Sequence, residues 1–185
     1  MIFSIHPQLI HHPSNMPVPS AKVIAALEKQ ADHELLASQN YLAMSYWCEV
    51  HHYAGFASFF KKQAGEEREH ANKILQHLAD RDVVPKIGPI PAPVGAFKAL
   101  IEVSQAAYDF ERANTAGIHA AYEVALAEKD YPAQVLLHWF INEQVEEEAW
   151  SDKLVVKTRE AGCAGALMNL DRHLEKILHG DSAES

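Results

Sequence analysis

The chain is 185 residues long and 48% hydrophobic, enough for one domain with a sizeable core. Its formal net charge of −9 argues against a nucleic-acid surface as the main function. No stretch approaches the roughly 20 apolar residues of a membrane span, and the two cysteines form neither a CxxC pair nor a disulfide framework.

Long stretches rich in Ala, Leu, Glu, Lys and Gln, without alternating β-branched residues, predict an all-α chain. Residues 1–17 read as a flexible extension with no Lys or Arg and no long apolar run, a poor secretory signal. Met16 is a second candidate start. Cys48 and Cys163 read as buried or half-buried thiols of a reducing compartment, so a cytoplasmic protein is expected.

The domain proper is expected over residues 18–180. Its first helix should run from Ser20, a candidate cap after Pro17 and Pro19, to about Val50. After a short link around His51 to Gly55, a second helix should last to about Asp82. Pro85, Pro89, Pro91 and Pro93 then make Val83 to Gly95 an extended connection. A third helix is expected over Ala96 to Glu128. Lys129-Asp130-Tyr131-Pro132 is a tight turn, and Pro132 suits the first turn of a fourth helix reaching about Ala161. Beyond Gly162 and Gly165 a shorter fifth helix fits Ala166 to Leu178, before a polar tail over 181–185. Two short links and one long one describe a four-helix bundle with a crossover between its second and third helices.

Each long helix carries polar residues on the stripe that should face the core. Phe56, Phe60, Gln63, Glu67, His70 and Ile74 follow at three- and four-residue steps on the second helix. Leu27, Ala31, Glu34, Ser38 and Tyr41 share a face on the first, and Ala107, Glu111, Asn114 and Ile118 on the third. Leu137, Phe140, Gln144, Glu147 and Leu154 do so on the fourth. A lone Glu-x-x-His such as Glu67/His70 is common by chance. Here Glu34, Glu67/His70, Glu111 and Gln144/Glu147 all fall near helix midpoints, which side-by-side packing brings to one depth.

Several carboxylates that close repel strongly in a low dielectric unless protons or multivalent cations lie between them. Carboxylates with one imidazole suit Fe, Mn or Zn better than Cu(I). A bridging carboxylate on the second helix, with terminal ones on the first and third, would hold two ions. The run Glu143, Glu146, Glu147 and Glu148 is by default a solvated face, and Glu66 is a surface residue. At one-turn spacings, however, Glu143, Glu146 and Glu147 can face Glu66 as a second acidic cluster. Tyr41, two turns after Glu34, is either a core tyrosine or a partner of the metals. Trp47, Phe56, Phe59 and Phe60 read as core packing.

The stretches Glu34-Leu35-Leu36-Ala37-Ser38 and Tyr41 to Trp47 resemble the first helix of ferritins. Glu66-Glu67-Arg68-Glu69-His70-Ala71 is similar to their second-helix signature, and Asn142-Glu143-Gln144-Val145 to their fourth. The resemblance spans Val18 to Leu178 and points to the bacterial non-haem ferritins. It implies a ferritin-like fold and a 24-subunit homo-oligomeric shell. Such a shell oxidises Fe(II) with O2 or peroxide and stores ferric mineral. It further implies that Glu34, Glu67 and His70 bind a first iron, and that Glu67 bridges to a second held by Glu111, with Gln144 and Glu147 close by. Glu66, Glu143, Glu146 and Glu147 match a third iron site, and Tyr41 matches a tyrosine beside the pair.

Two departures bear on function. Haem-binding relatives carry a second Glu-x-x-His on the fourth helix and a Met after the bridging Glu. Here Glu143 is followed by Glu146, and Arg68 stands at the Met position, so no haem is expected. Gln134-Val135-Leu136-Leu137 replaces the acids that line a channel in animal chains, which leaves the route of iron into a shell open. The rival readings are a twelve-subunit miniferritin or peroxidase, disfavoured by the fifth helix, and a non-catalytic metal-binding shell.

Overall fold

The computed structural model describes residues 17–179. Residues 1–16 of the expected 1–17 extension, Met16 among them, and residues 180–185, which include the polar tail, lie outside the described residues. Among these, all regular structure is helical: α1 (Ala21–Val50), α2 (Ala54–Ala79), α3 (Leu100–Ala127), α4 (Tyr131–Glu160), α5 (Ala164–Arg172) and α6 (Leu174–His179). Ser20 caps α1 by accepting from Val23 N at 3.3 Å. Asp130 caps α4 by accepting from Ala133 N at 3.1 Å, and Pro132 lies in that first turn.

Two element boundaries differ from expectation. The third helix starts at Leu100 and not at Ala96. The Phe97 carbonyl instead accepts from Trp47 Nε1 at 3.1 Å, and Glu102 accepts from Lys98 N at 2.8 Å. The expected fifth helix is two short ones, broken at His173. The break lets Leu170 on α5 and Leu174 and Leu178 on α6 bury in one apolar cluster. Of the two cysteines, Cys48 is buried, and burial pushes its thiol up to about 12. Cys163 is exposed, contrary to expectation, because it lies on the link between α4 and α5, outside the core.

The long helices form a bundle in which α1 packs against α2 and α3, and α3 against α4. A helix the length of α1 spans about 45 Å at ~1.5 Å per residue, and the extended segment 83–95 covers about as much at ~3.3 Å per residue. The crossover is fastened to α1 in step. Lys86 N donates to Glu28, Gly88 N to Asp32 and Val94 N to Asn40, at 2.8, 2.8 and 2.9 Å. It therefore runs the same way as α1 and returns the chain to the bundle's other end.

The core is divided in two. One apolar cluster holds Tyr41, Met44, Phe56, Phe59, Phe60, Val103, Ala107, Trp150 and Leu154. The other holds Leu27, Ala31, Ile74, Leu78, Ile118, Leu137 and Phe140. On each helix the gap between them is filled by buried polar residues: Glu34 on α1, Glu67 and His70 on α2, Glu111 and Asn114 on α3, Gln144 and Glu147 on α4.

Candidate metal centre

This mid-bundle belt brings two sets of donor atoms together. One oxygen or nitrogen from each of Glu34, Glu67 and His70 lies within 4.8 Å of the others, and the same holds for Glu67, Glu111 and Glu147. Glu67 belongs to both sets. All five residues are buried, Glu34 completely.

Burial penalises ionised carboxyls, and like charges add to the penalty. Glu67 and Glu147 are accordingly held well above the usual carboxylate range, by burial first and then by Glu111. Glu111 is raised to about 7 by burial, although hydrogen bonds from Tyr41 and Gln144 work in the other direction. Tyr41, fully buried, donates its hydroxyl to Glu111 and is itself pushed far above its ordinary value by burial.

Two atoms in the belt have no partner. Glu67 Oε2 and His70 Nδ1 are 3.6 Å apart, buried, and make no hydrogen bond. Buried polar atoms are nearly always paired, so an unpaired oxygen and an unpaired ring nitrogen facing each other fit a cation between them. The His70 ring is fixed edge-on by Trp139 and Phe140, with ring centres 5.4 and 5.7 Å away.

The other predicted residues are placed as follows. Gln144 turns its amide NH2 toward Glu111, 3.3 Å from Oε2 and 3.2 Å from the backbone carbonyl, so it acts here as a donor to that carboxylate. Glu66 and Glu143 are half-buried at the edge, where both raise Glu147, while Glu146 is exposed. Neither three-donor set includes Glu66, Glu143 or Glu146.

The family model for the ferritin-like domain matches residues 24–161, which contain every one of these side chains. The chain belongs to the ferritin family. It is 38% identical over 130 residues to the bacterial non-haem ferritin of Staphylococcus haemolyticus, covering 70% of this chain and 78% of that one. To the bacterial non-haem ferritin of Escherichia coli O157:H7 it is 31% identical over 157 residues, 84% of this chain and 95% of the relative. Among solved structures it is similar to an open-pore ferritin of the hyperthermophilic archaeon Archaeoglobus fulgidus. The TM-score is 0.83 at 31% identity, over 86% of this chain and 98% of that one.

Some residues of the belt carry no signal of their own in the sequence. Gln30 and Asn114 bind Glu34, and Trp150 donates its indole N–H to Glu147. Their spacings, four residues before Glu34 and three after Glu111 and Glu147, are the only trace. Amides and tryptophans at such positions usually just pack.

Proposed function

We propose that the chain is an iron-storage ferroxidase of the cytoplasm, assembled as a shell of about 24 copies as in the family it resembles. Fe(II) is its substrate. One ion is held by Glu34, Glu67 and His70, and the other by Glu67, Glu111 and Glu147. The observation that carries this is the membership of Glu67 in both sets, which lets one carboxylate bridge two metals. Each Fe(II) gives up one electron, and O2 takes two electrons and two protons to become H2O2. Peroxide can serve in place of O2, becoming water. The Fe(III) product hydrolyses, releases protons and collects in the shell as oxyhydroxide.

The protein's residues hold and orient. His70 is locked by its two aromatic neighbours, Tyr41 and Gln144 orient Glu111, and Trp150 orients Glu147. Glu66, Glu143 and Glu146 lie beside Glu147 and serve as the accessory third site for iron passing to or from the pair. No haem is used, since Arg68 is an exposed charge at the position where haem-binding relatives carry a ligand.

The test is aerobic addition of Fe(II) to the assembled protein, followed by Fe(III) absorbance. Glu67→Ala should slow the initial rate by tenfold or more, since even outer partners of a metal site are worth about 10–100-fold. Equal rates would remove the diiron assignment. Sedimentation mass with iron counted per particle separates the storage shell from a twelve-subunit detoxifying particle.

A further inference from the structure

Glu34 and Glu67 face the same pocket but are held in opposite ways. Glu67 Oε2 has no hydrogen-bond partner, whereas both oxygens of Glu34 are taken by side-chain amides. Gln30 Nε2 donates to Glu34 Oε1 at 2.8 Å and Asn114 Nδ2 to Glu34 Oε2 at 3.0 Å. Gln30 Nε2 also donates to Asn114 Oδ1 at 2.6 Å, which closes a ring of two amides and one carboxylate. All three residues are at least nine-tenths buried. The carboxylate fixes the ring's polarity, because both NH2 groups must face it.

The ring depends on a missing side chain. A Cβ at Gly117, one turn beyond Asn114 on α3, would come within 2.4 Å of Gln30 Oε1. The Gln30 amide lies against the bare backbone at this point. An alanine there would displace it, while costing the helix nothing, since Ala favours a helix over Gly.

We propose that Gln30, Asn114 and Gly117 form an amide clamp that fixes Glu34 as the rigid terminal ligand of one half of the metal centre. Gln30 and Asn114 are positioning residues, and Gly117 leaves the space they need. Each clamped oxygen keeps one lone pair for an ion, so the clamp orients the ligand without consuming it. Glu67, whose Oε2 has no such bond, is left to turn that oxygen toward the ions. The inference rests on the diiron reading and adds to it an asymmetry: the half containing Glu34 is pre-shaped, and its affinity depends on residues that touch no metal. The amide of Asn114 also donates to Gln144 Oε1, but only at 3.5 Å, so the clamp bears chiefly on the Glu34 half.

The experiment titrates the assembled protein with Zn(II), which binds without turnover, against a chelator. Glu147→Ala leaves the Glu34 half to be measured by itself, and Glu34→Ala leaves the other. Adding Gly117→Ala or Asn114→Leu to the Glu147→Ala protein should weaken its single Zn(II) about tenfold, the worth of roughly one hydrogen bond to a charged group. Added to Glu34→Ala, neither should change affinity beyond about twofold. Unchanged affinity in the first background, or equal weakening in both, overturns the clamp. Gly117→Ala keeps the test decisive if Asn114→Leu folds poorly, because it deletes no polar group and shifts only the far end of a flexible side chain. Fewer than two Zn(II) per unsubstituted chain would instead overturn the diiron reading itself.

Discussion

Glu67, Glu111 and Glu147 put three carboxyls in one buried place, and all three hold their protons to higher pH than an unfolded chain would. For Glu111 the sign runs thus. Between about 4.5 and about 7 the folded metal-free protein keeps a proton that the unfolded chain has lost. Its contribution to stability is therefore complete below that window and disappears as pH rises through it. Glu67 and Glu147 extend the same trend upward. An entering cation must displace these protons, so Zn(II) should bind more weakly as pH falls from about 7 toward 4.5, with protons released on binding. Calorimetry in two buffers of different ionisation enthalpy checks this. Heats that do not depend on the buffer, with an affinity flat across that window, would contradict it. At this scale the sequence was readable in part. The burial of Glu34, Glu67, His70, Glu111 and Glu147 follows from helical spacing, because a stripe of apolar neighbours carries them inward. Gln30, Asn114 and Trp150 were not readable as partners. Which carboxylate an amide meets depends on helix rotation and rise, to a precision that a three- or four-residue spacing does not supply.

At the scale of elements, the proline-marked crossover and the tight turn before Pro132 were legible because proline fixes φ and removes a donor. The helix ends were harder, because three of them stop without glycine. His52, Asp82 and Lys129 have φ of 64°, 60° and 56°, the left-handed region that usually calls for Gly. Each is followed by an N–H that reaches back five residues: Tyr53 N to Cys48 O, Val83 N to Leu78 O and Asp130 N to Ala125 O, at 2.9, 3.1 and 2.9 Å. The bonding pattern of a left-handed helix stop is intact, and only the residue type is unusual. Lys129 is exposed, and Asp130 after it both caps α4 and pairs with buried Arg81 at 2.8 Å. The turn is therefore held in place from its far side. Relieving the left-handed strain gains about 1–2 kcal/mol, and the extra unfolded-chain freedom of Gly takes back about 0.5–1. Lys129→Gly should thus raise stability by roughly 0.5–1 kcal/mol, read as a higher denaturation midpoint with an unchanged slope. A lower midpoint would mean that the lysine makes a contact worth more than the strain.

At the scale of the whole molecule, the crossover that returns the chain also leaves apolar side chains outside. Val84, Ile87 and Val94 on the crossover are 91%, 61% and 51% exposed, and on α1 Leu42 and Tyr46 are 38% and 61% exposed. The hydrogen bonds from 86 to 28, 88 to 32 and 94 to 40 hold the crossover along α1, so Val94 lies at the level of Asn40, two residues before Leu42. Proteins that stay monomeric seldom leave much apolar surface in water. In a shell built from copies of one chain, such a surface is where two copies meet, and a two-fold contact uses it twice. A charge placed there is duplicated across the axis, so its cost is doubled while the isolated bundle loses nothing, both positions being solvent-facing already. Ile87→Glu with Tyr46→Glu should therefore yield small species in size-exclusion light scattering, with helix content retained. Such species should still bind Zn(II), because both donor sets come from a single chain. Iron counted per chain should fall sharply even so, since a bundle without an enclosed cavity has nowhere to keep it. A full-sized particle from this variant would move the subunit contact to another face.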